Sequence, residues 1–221
     1  MSLAVRNLAL CLLAFLFAGP TIAVADQPRP NVVFFLLDDL GWKDLGCYGS
    51  DFYETPNINE FAKQGVRFTQ AYATCHVCSP TRASILTGKY PARLDMTDWL
   101  SGRRDFPFQQ LLNAEIHQFL PLAEVTIAEA LKEAGYETAH IGKWHLGEEP
   151  HGPTAQGFDL QIPQWNKGWP RRGYHAPFGL DGLEDQPGDY LTDRLTDEAL
   201  DFIESSKDKP FFLYMSHYAV H

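Results

Sequence analysis

Three apolar runs, each breaking off into titratable residues, limit this chain to few folds. Asn31 to Leu37 (NVVFFLL) ends in Asp38-Asp39, and Glu137 to Ile141 (ETAHI) ends in Gly142-Lys143-Trp144-His145. Pro210 to Met215 (PFFLYM) ends in Ser216-His217, with His221 shortly after. Unbroken apolar runs of this length suit strands buried on both faces. Helical patterns lie between them. Ile58 to Gln64 follows the turn Thr55-Pro56-Asn57, and Arg82 to Leu86 follows Pro80 and stops at Gly88. Ile127 to Ala134 opens with Thr126 and, three residues on, Glu129, the pattern of a capping box. Leu195, Ala199, Phe202 and Ile203 mark one apolar stripe of a helix from about Thr192 to Ser206. Alternating strands and helices predict an α/β fold, with a largely parallel (mixed) central sheet covered by helices on both faces. Functional groups in such folds gather beyond the carboxyl ends of the strands. Asp38, Asp39, Lys143, His145, His217 and His221 all fall there, which predicts one shared site.

The chain's 221 residues, 45% hydrophobic, are enough for one sizeable core. Eighteen basic against 28 acidic residues give a formal charge of -10, which leaves no basic footprint for nucleic acid. An anionic substrate would need cations gathered locally. Residues 1–25 read as a secretory signal: Arg6, a short apolar core from Leu8 to Phe17, and Ala23-Val24-Ala25 before Asp26. A lipoprotein site at Cys11 is the weaker alternative, because bulky Leu10 precedes the cysteine. The expectation is an exported protein, periplasmic or secreted, without stable membrane insertion. Of four cysteines, cleavage leaves Cys47, Cys75 and Cys78, an odd set for an oxidising compartment. Asp98 to Pro121 and Pro150 to Gly188 read as long loops, which tend to carry recognition. The chain ends at His221, just past a buried-type strand, so residues 26–221 read as the N-terminal portion of a longer catalytic domain.

Two motifs carry chemistry. Adjacent Asp38 and Asp39 after an apolar strand suit a hard divalent cation, although a lone Asp there is commonly a turn cap. In Cys78-Ser79-Pro80-Thr81-Arg82, the cysteine could pair with Cys75 as a disulfide, act as a thiolate nucleophile at a helix start, or be modified.

C-x-P-x-R followed by Ser84-Ile85-Leu86-Thr87-Gly88 resembles the signature of the sulfatase family. The resemblance extends in order through Asn31 to Gly41, Tyr48-Gly49, Thr55-Pro56-Asn57, Gly65 to Phe68, Gly142 to Gly147 (GKWHLG), Asp189 to Asp197 (DYLTDRLTD) and Pro210 to His221. It implies an alkaline-phosphatase-like fold and hydrolysis of sulfate esters. It also implies oxidation of Cys78 to formylglycine by a maturation enzyme during export. A hydrated aldehyde offers two hydroxyls: one attacks sulfur, and the other then loses a proton so that sulfate is expelled. A serine has no second hydroxyl and would remain sulfated.

By resemblance, Asp38 and Asp39 bind a divalent metal, calcium or another such as magnesium, which the formylglycine oxygen also contacts. Arg82 steadies the formylglycine, Lys143 contacts sulfate, and His145 takes a proton from the diol. His221 binds sulfate and protonates the leaving alcohol. Taken singly, Lys143 and His145 could be a solvated charge and a packed ring. The family's second metal pair, an Asp then Asn, and a second Lys would follow His221, so this chain alone is expected to bind metal weakly and turn over poorly.

Trp99, Arg103, Arg104, Gln164, Trp165, Asn166, Trp169, Arg171, Arg172 and His175 lie in the two long loops and suggest a sulfated carbohydrate, with small aryl sulfates as artificial substrates. The alternatives are a phosphodiester or phosphonate hydrolase of the same superfamily, a thiol hydrolase, and a non-catalytic binding fragment with Cys78 unmodified.

Overall fold

A computed structural model describes residues 29–221; the expected signal segment and Cys11 lie outside the described residues. Four strands, β1 (Val32–Leu36), β2 (Glu137–Gly142), β3 (Leu160–Ile162) and β4 (Phe211–Ser216), form a sheet in the order β1-β4-β2-β3. Every pairing among them is parallel. The helices are α1 (Pro56–Gln64), α2 (Cys78–Thr87), α3 (Ile127–Glu133) and α4 (Leu191–Ser206).

The register decides where chemistry can occur. Ser216 at the end of β4 stands opposite both Leu36 of β1 and Gly142 of β2. Three strands therefore end at one level, with β4 in the middle. Asp38, Lys143 and His217 emerge side by side from that edge. Gly142 makes the approach possible: at φ 110° it lies where a Cβ would sit 1.8 Å from the Ser216 carbonyl oxygen. The chain then turns so that the Lys143 N–H donates to that same oxygen at 2.7 Å.

β4 alternates between two cores, as a strand must. Leu213 and Met215 pack with Ala139 and Ile141 against Leu191, Leu195, Ala199 and Phe202 of α4. Phe212 and Tyr214 pack on the opposite side with Ala83 and Leu86 of α2, Ala128 of α3, Trp144 and Phe158. Full burial of each such large side chain contributes about 1.5–3 kcal/mol. Helices therefore cover both faces.

β1 departs from the expected burial. It is an edge strand here, and Val33 and Phe35 are more than half exposed while Val32, Phe34 and Leu36 face the core. Continuous apolar character does not distinguish an edge strand from a central one. α2 also begins earlier than expected, at Cys78 rather than Arg82, because Pro80 is tolerated in a first turn where its missing N–H costs nothing. β3 lies within a segment expected to be loop. Its three residues carry no readable period and are held by pairing with Ala139, His140 and Ile141. The capping box of α3 forms as expected, with Thr126 and Glu129 exchanging side-chain and backbone bonds.

Candidate active site

Cys78 occupies the first position of α2, preceded by extended Val77. The Thr81 hydroxyl donates to the Cys75 carbonyl at 2.7 Å, and the Leu100 N–H donates to the Ser79 hydroxyl at 3.1 Å, fixing both sides of this turn. Cys47, Cys75 and Cys78 are free thiols, so no Cys75–Cys78 disulfide exists.

His145 arrives from the β2 end with φ 57°, a left-handed conformation uncommon for a residue with a side chain. Its N–H donates to the Asn166 carbonyl at 3.2 Å. Its ring lies against Gly168, where a Cβ would come within 2.4 Å of Cε1. Nε2 stands 2.6 Å from the Leu100 carbonyl oxygen, which can only accept, so Nε2 carries the hydrogen. In the neutral ring Nδ1 then presents a lone pair, and it lies 3.0 Å from the Cys78 sulfur. Burial, followed by the nearby Lys143 charge, lowers the His145 pKa to about 4, so the ring is neutral at pH 7.

The charged groups form a compact buried set. Asp38 is 5% exposed; its Oδ2 accepts from the Lys143 ammonium, and its Oδ1 lies 3.4 Å from Arg82. Arg82 also donates to the Lys143 carbonyl at 2.7 Å and to the Ser216 hydroxyl at 2.5 Å. Burial and then the Arg82 charge lower the Lys143 pKa, and Asp38 opposes both. His221 Nδ1 lies 3.3 Å from the Gly168 carbonyl oxygen, 3.4 Å from Lys143 Nζ and 3.5 Å from Asp38 Oδ2. Its Nε2 is 3.9 Å from Asp39, whose carboxylate is mostly exposed and whose φ is 58°. Two fixed cations against one buried carboxylate suit an anionic ligand.

Two recesses meet at Cys78. One, of about 390 Å³, is lined by Asp38, Asp39, Cys78 and Arg82 among others. The second, of about 320 Å³, shares Asp39 and Cys78 and adds Lys143, His145, Trp99, Trp169 and His221. Asp38, Asp39, Cys78, Arg82, Lys143, His145 and His221 are thus brought together.

Asp38 and Asp39 are hard oxygen donors at a recess that reaches position 78, the right donor type for calcium or magnesium. They are too few for a full shell, and among the described residues no group of three His, Cys, Asp or Glu could hold a metal ion unaided.

The loop residues divide. Trp99, Asn166 and Trp169 line a recess of about 500 Å³ that shares Trp99, His145 and Trp169 with the Cys78 recess. Arg103 and Arg104 line a separate recess with Phe106 and Phe108, and Gln164 lines another with Asp159 and Gln161. Trp165 donates to the Trp169 carbonyl at 2.7 Å beneath the Arg171 guanidinium. A Cβ on Gly179 would touch Arg172, which places that side chain beside the glycine, and His175 bridges to Tyr190. His217 is buried against Phe35 and contributes structure.

Sequence reasoning missed the Leu100 carbonyl, Ser216 and Gly168, since a backbone acceptor and a close glycine leave no local pattern. It also passed over His140, which lies on β2, buried and stacked on Tyr214, and is neutral at a pKa of about 3, lowered by burial and then by Arg82.

The Sulfatase family model matches residues 30–221. The chain belongs to the sulfatase family. It is 36% identical over 223 residues to N-acetylgalactosamine-6-sulfatase of Mus musculus, covering 92% of this chain and 42% of that protein. It is 43% identical over 157 residues to arylsulfatase A of Homo sapiens, covering 69% of this chain and 28% of that protein. Among solved structures, Ps i-CgsB in complex with k-i-k-neocarrahexaose superposes with TM-score 0.71 at 30% identity, over 87% of this chain and 46% of that one. BT4656 in complex with its substrate D-glucosamine-2-N,6-O-disulfate gives TM-score 0.68 at 34% identity, over 87% of this chain and 35% of that one. This sulfatase chain therefore spans less than half the length of these relatives.

Proposed function

We propose that the full protein hydrolyses sulfate esters on a carbohydrate, with position 78 as the nucleophile after conversion to formylglycine. The observation that carries this reading is the neutral His145 lone pair aimed at the Cys78 side chain from 3.0 Å. A formylglycine hydrate there would supply one hydroxyl for attack at sulfur and a second whose deprotonation releases sulfate. His145 Nδ1 is placed to accept that proton. Its Nε2–H is spent on Leu100, so the ring cannot turn its hydrogen toward position 78.

Lys143 and Arg82 supply the positive field for the sulfate oxygens, with Lys143 reaching the substrate and Arg82 holding position 78 and the Lys143 carbonyl. Asp38 holds both cations in place. His221, more exposed than Lys143 and at the same recess, is positioned to protonate the leaving alcohol. Asp38 and Asp39 would hold the divalent metal, with formylglycine as a further ligand. When bound, the metal supplies positive charge beside the nucleophile, and the remaining ligands would come from outside this chain.

Export through residues 1–25 to the periplasm or medium, maturation of Cys78 by a formylglycine-generating enzyme, and calcium as the metal complete the proposal. Among the described residues no helix is long and apolar enough to cross a membrane. The test is steady-state turnover of 4-nitrophenyl sulfate beside the matching phosphate mono- and diesters. Cys78→Ala and Cys78→Ser variants of the full-length protein should lose turnover while keeping their fold. Retained activity in Cys78→Ala would end the proposal, and preference for the phosphate diester would transfer it to the related hydrolases.

A further inference from the structure

The 500 Å³ recess beside the nucleophile lacks the buried cations of the site it adjoins. Around Cys78 the fixed charges are the buried Lys143 and Arg82, offset by the buried Asp38 and the more exposed Asp39. Across Trp99, His145 and Trp169, which line both recesses, the charged side chains are Glu148, Glu149 and Lys167. Lys167 is engaged by Glu148, so Glu149 leaves this wall net negative. The neutral His145 adds no positive charge.

The remaining surface suits a sugar ring. Trp169 is 53% exposed and offers an open aromatic face. Phe119 and His151 also line it and stack on each other with centroids 3.8 Å apart. Pockets that combine aromatic area with a few polar groups orient a ligand through those groups. A carboxylate on such a wall accepts hydrogen bonds from hydroxyls or an amine, and repels a second sulfate or a uronate.

We propose that this recess binds the sugar ring carrying the scissile sulfate and selects rings that are otherwise neutral or cationic, with Glu149 as the discriminating residue. The proposal rests on the sulfatase reading above. One sulfate is drawn to Lys143 and Arg82, while a further anionic substituent on the same ring meets Glu149.

The test uses the full-length protein with formylglycine at position 78 and measures kcat/KM for matched pairs. One pair is N-acetylglucosamine 6-sulfate and glucosamine 2-N,6-O-disulfate. The other is N-acetylgalactosamine 6-sulfate and its 4,6-disulfate. The expected result is a preference of about ten-fold or more for the monosulfated member of the pair that is turned over, the size of one charge repulsion across a partly solvated pocket. Glu149→Gln should reduce that preference by about three-fold or more, and Glu149→Lys should abolish or invert it. Equal or better use of the disulfated sugar overturns the proposal. So does a preference that neither variant changes while circular dichroism shows an intact fold. Turnover of 4-nitrophenyl sulfate with none of the four sugars overturns the pocket assignment alone. No turnover of any sulfate ester overturns the sulfatase reading with it.

Discussion

The Nδ1 atom of His145 faces the Cys78 sulfur at 3.0 Å because the ring's other nitrogen is committed to the Leu100 carbonyl. One backbone oxygen thus sets the tautomer of the residue assigned as base. An isolated histidine has no such fixed orientation.

That arrangement predicts an unusual acid limb. A base titrating at about 4 rather than 6.5 stays neutral at pH 5, where an ordinary histidine is mostly protonated. kcat of the full-length protein should therefore persist to pH 5 and fall only as pH approaches 4. Loss of kcat near pH 6.5 would contradict the assignment of His145.

Stability should follow the same groups. His140 and His145 have folded pKa values of about 3 and about 4, both below 6.5 and both lowered first by burial. As pH drops from 6.5 toward 4, the unfolded chain takes up protons that the folded chain does not. Their contribution is present in full above 6.5 and falls through that window, by up to about 1.4 kcal/mol per pH unit per histidine. Denaturant unfolding of this chain at pH 7, 5.5 and 4.5 checks the sign, and a flat or opposite trend would count against it.

Neutralising either adjacent acid should give very different costs. Asp38→Asn leaves Lys143 and Arg82 buried without their carboxylate and should destabilise by about 3–5 kcal/mol. Asp39→Asn alters an exposed side chain at a left-handed φ that asparagine tolerates, so its cost should stay within about 0.5 kcal/mol. Thermal unfolding of the two variants separates these cases.

Gly168→Ala should act on catalysis more than on the fold. Its Cβ would stand 2.4 Å from His145 Cε1 and 2.6 Å from Nδ1, so the imidazole must leave its present position opposite Cys78. A loss of about 100-fold or more in kcat is expected from misplacing a catalytic group by an ångström. KM should change little. Unchanged kcat would show that the ring position is not critical.

Much of this was readable from residue order. The runs into Asp38-Asp39, Gly142-Lys143-Trp144-His145 and Ser216-His217 become β1, β2 and β4 with their ends aligned, as apolar runs ending in charge suggest. The α4 stripe of Leu195, Ala199 and Phe202 faces the core as its spacing implies. Other features depended on tertiary context. Whether β1 is an edge or a central strand depends on its neighbours, and Val33 does not encode its own exposure. β3 exists because β2 offers an edge, and Leu160-Gln161-Ile162 is too short to show a period. Arg103, Arg104 and His175 have suitable chemistry for a substrate, yet the loops carry them to other recesses or pairings.

The central claim is tested most directly by the mass of the peptide spanning Tyr72 to Lys89, prepared from the full-length protein made in cells with competent maturation machinery. The expected result is that the CH2SH of Cys78 has become CHO, with the corresponding loss of mass, while Cys75 keeps its thiol. An intact thiol at Cys78, in protein that nonetheless hydrolyses sulfate esters, would contradict it.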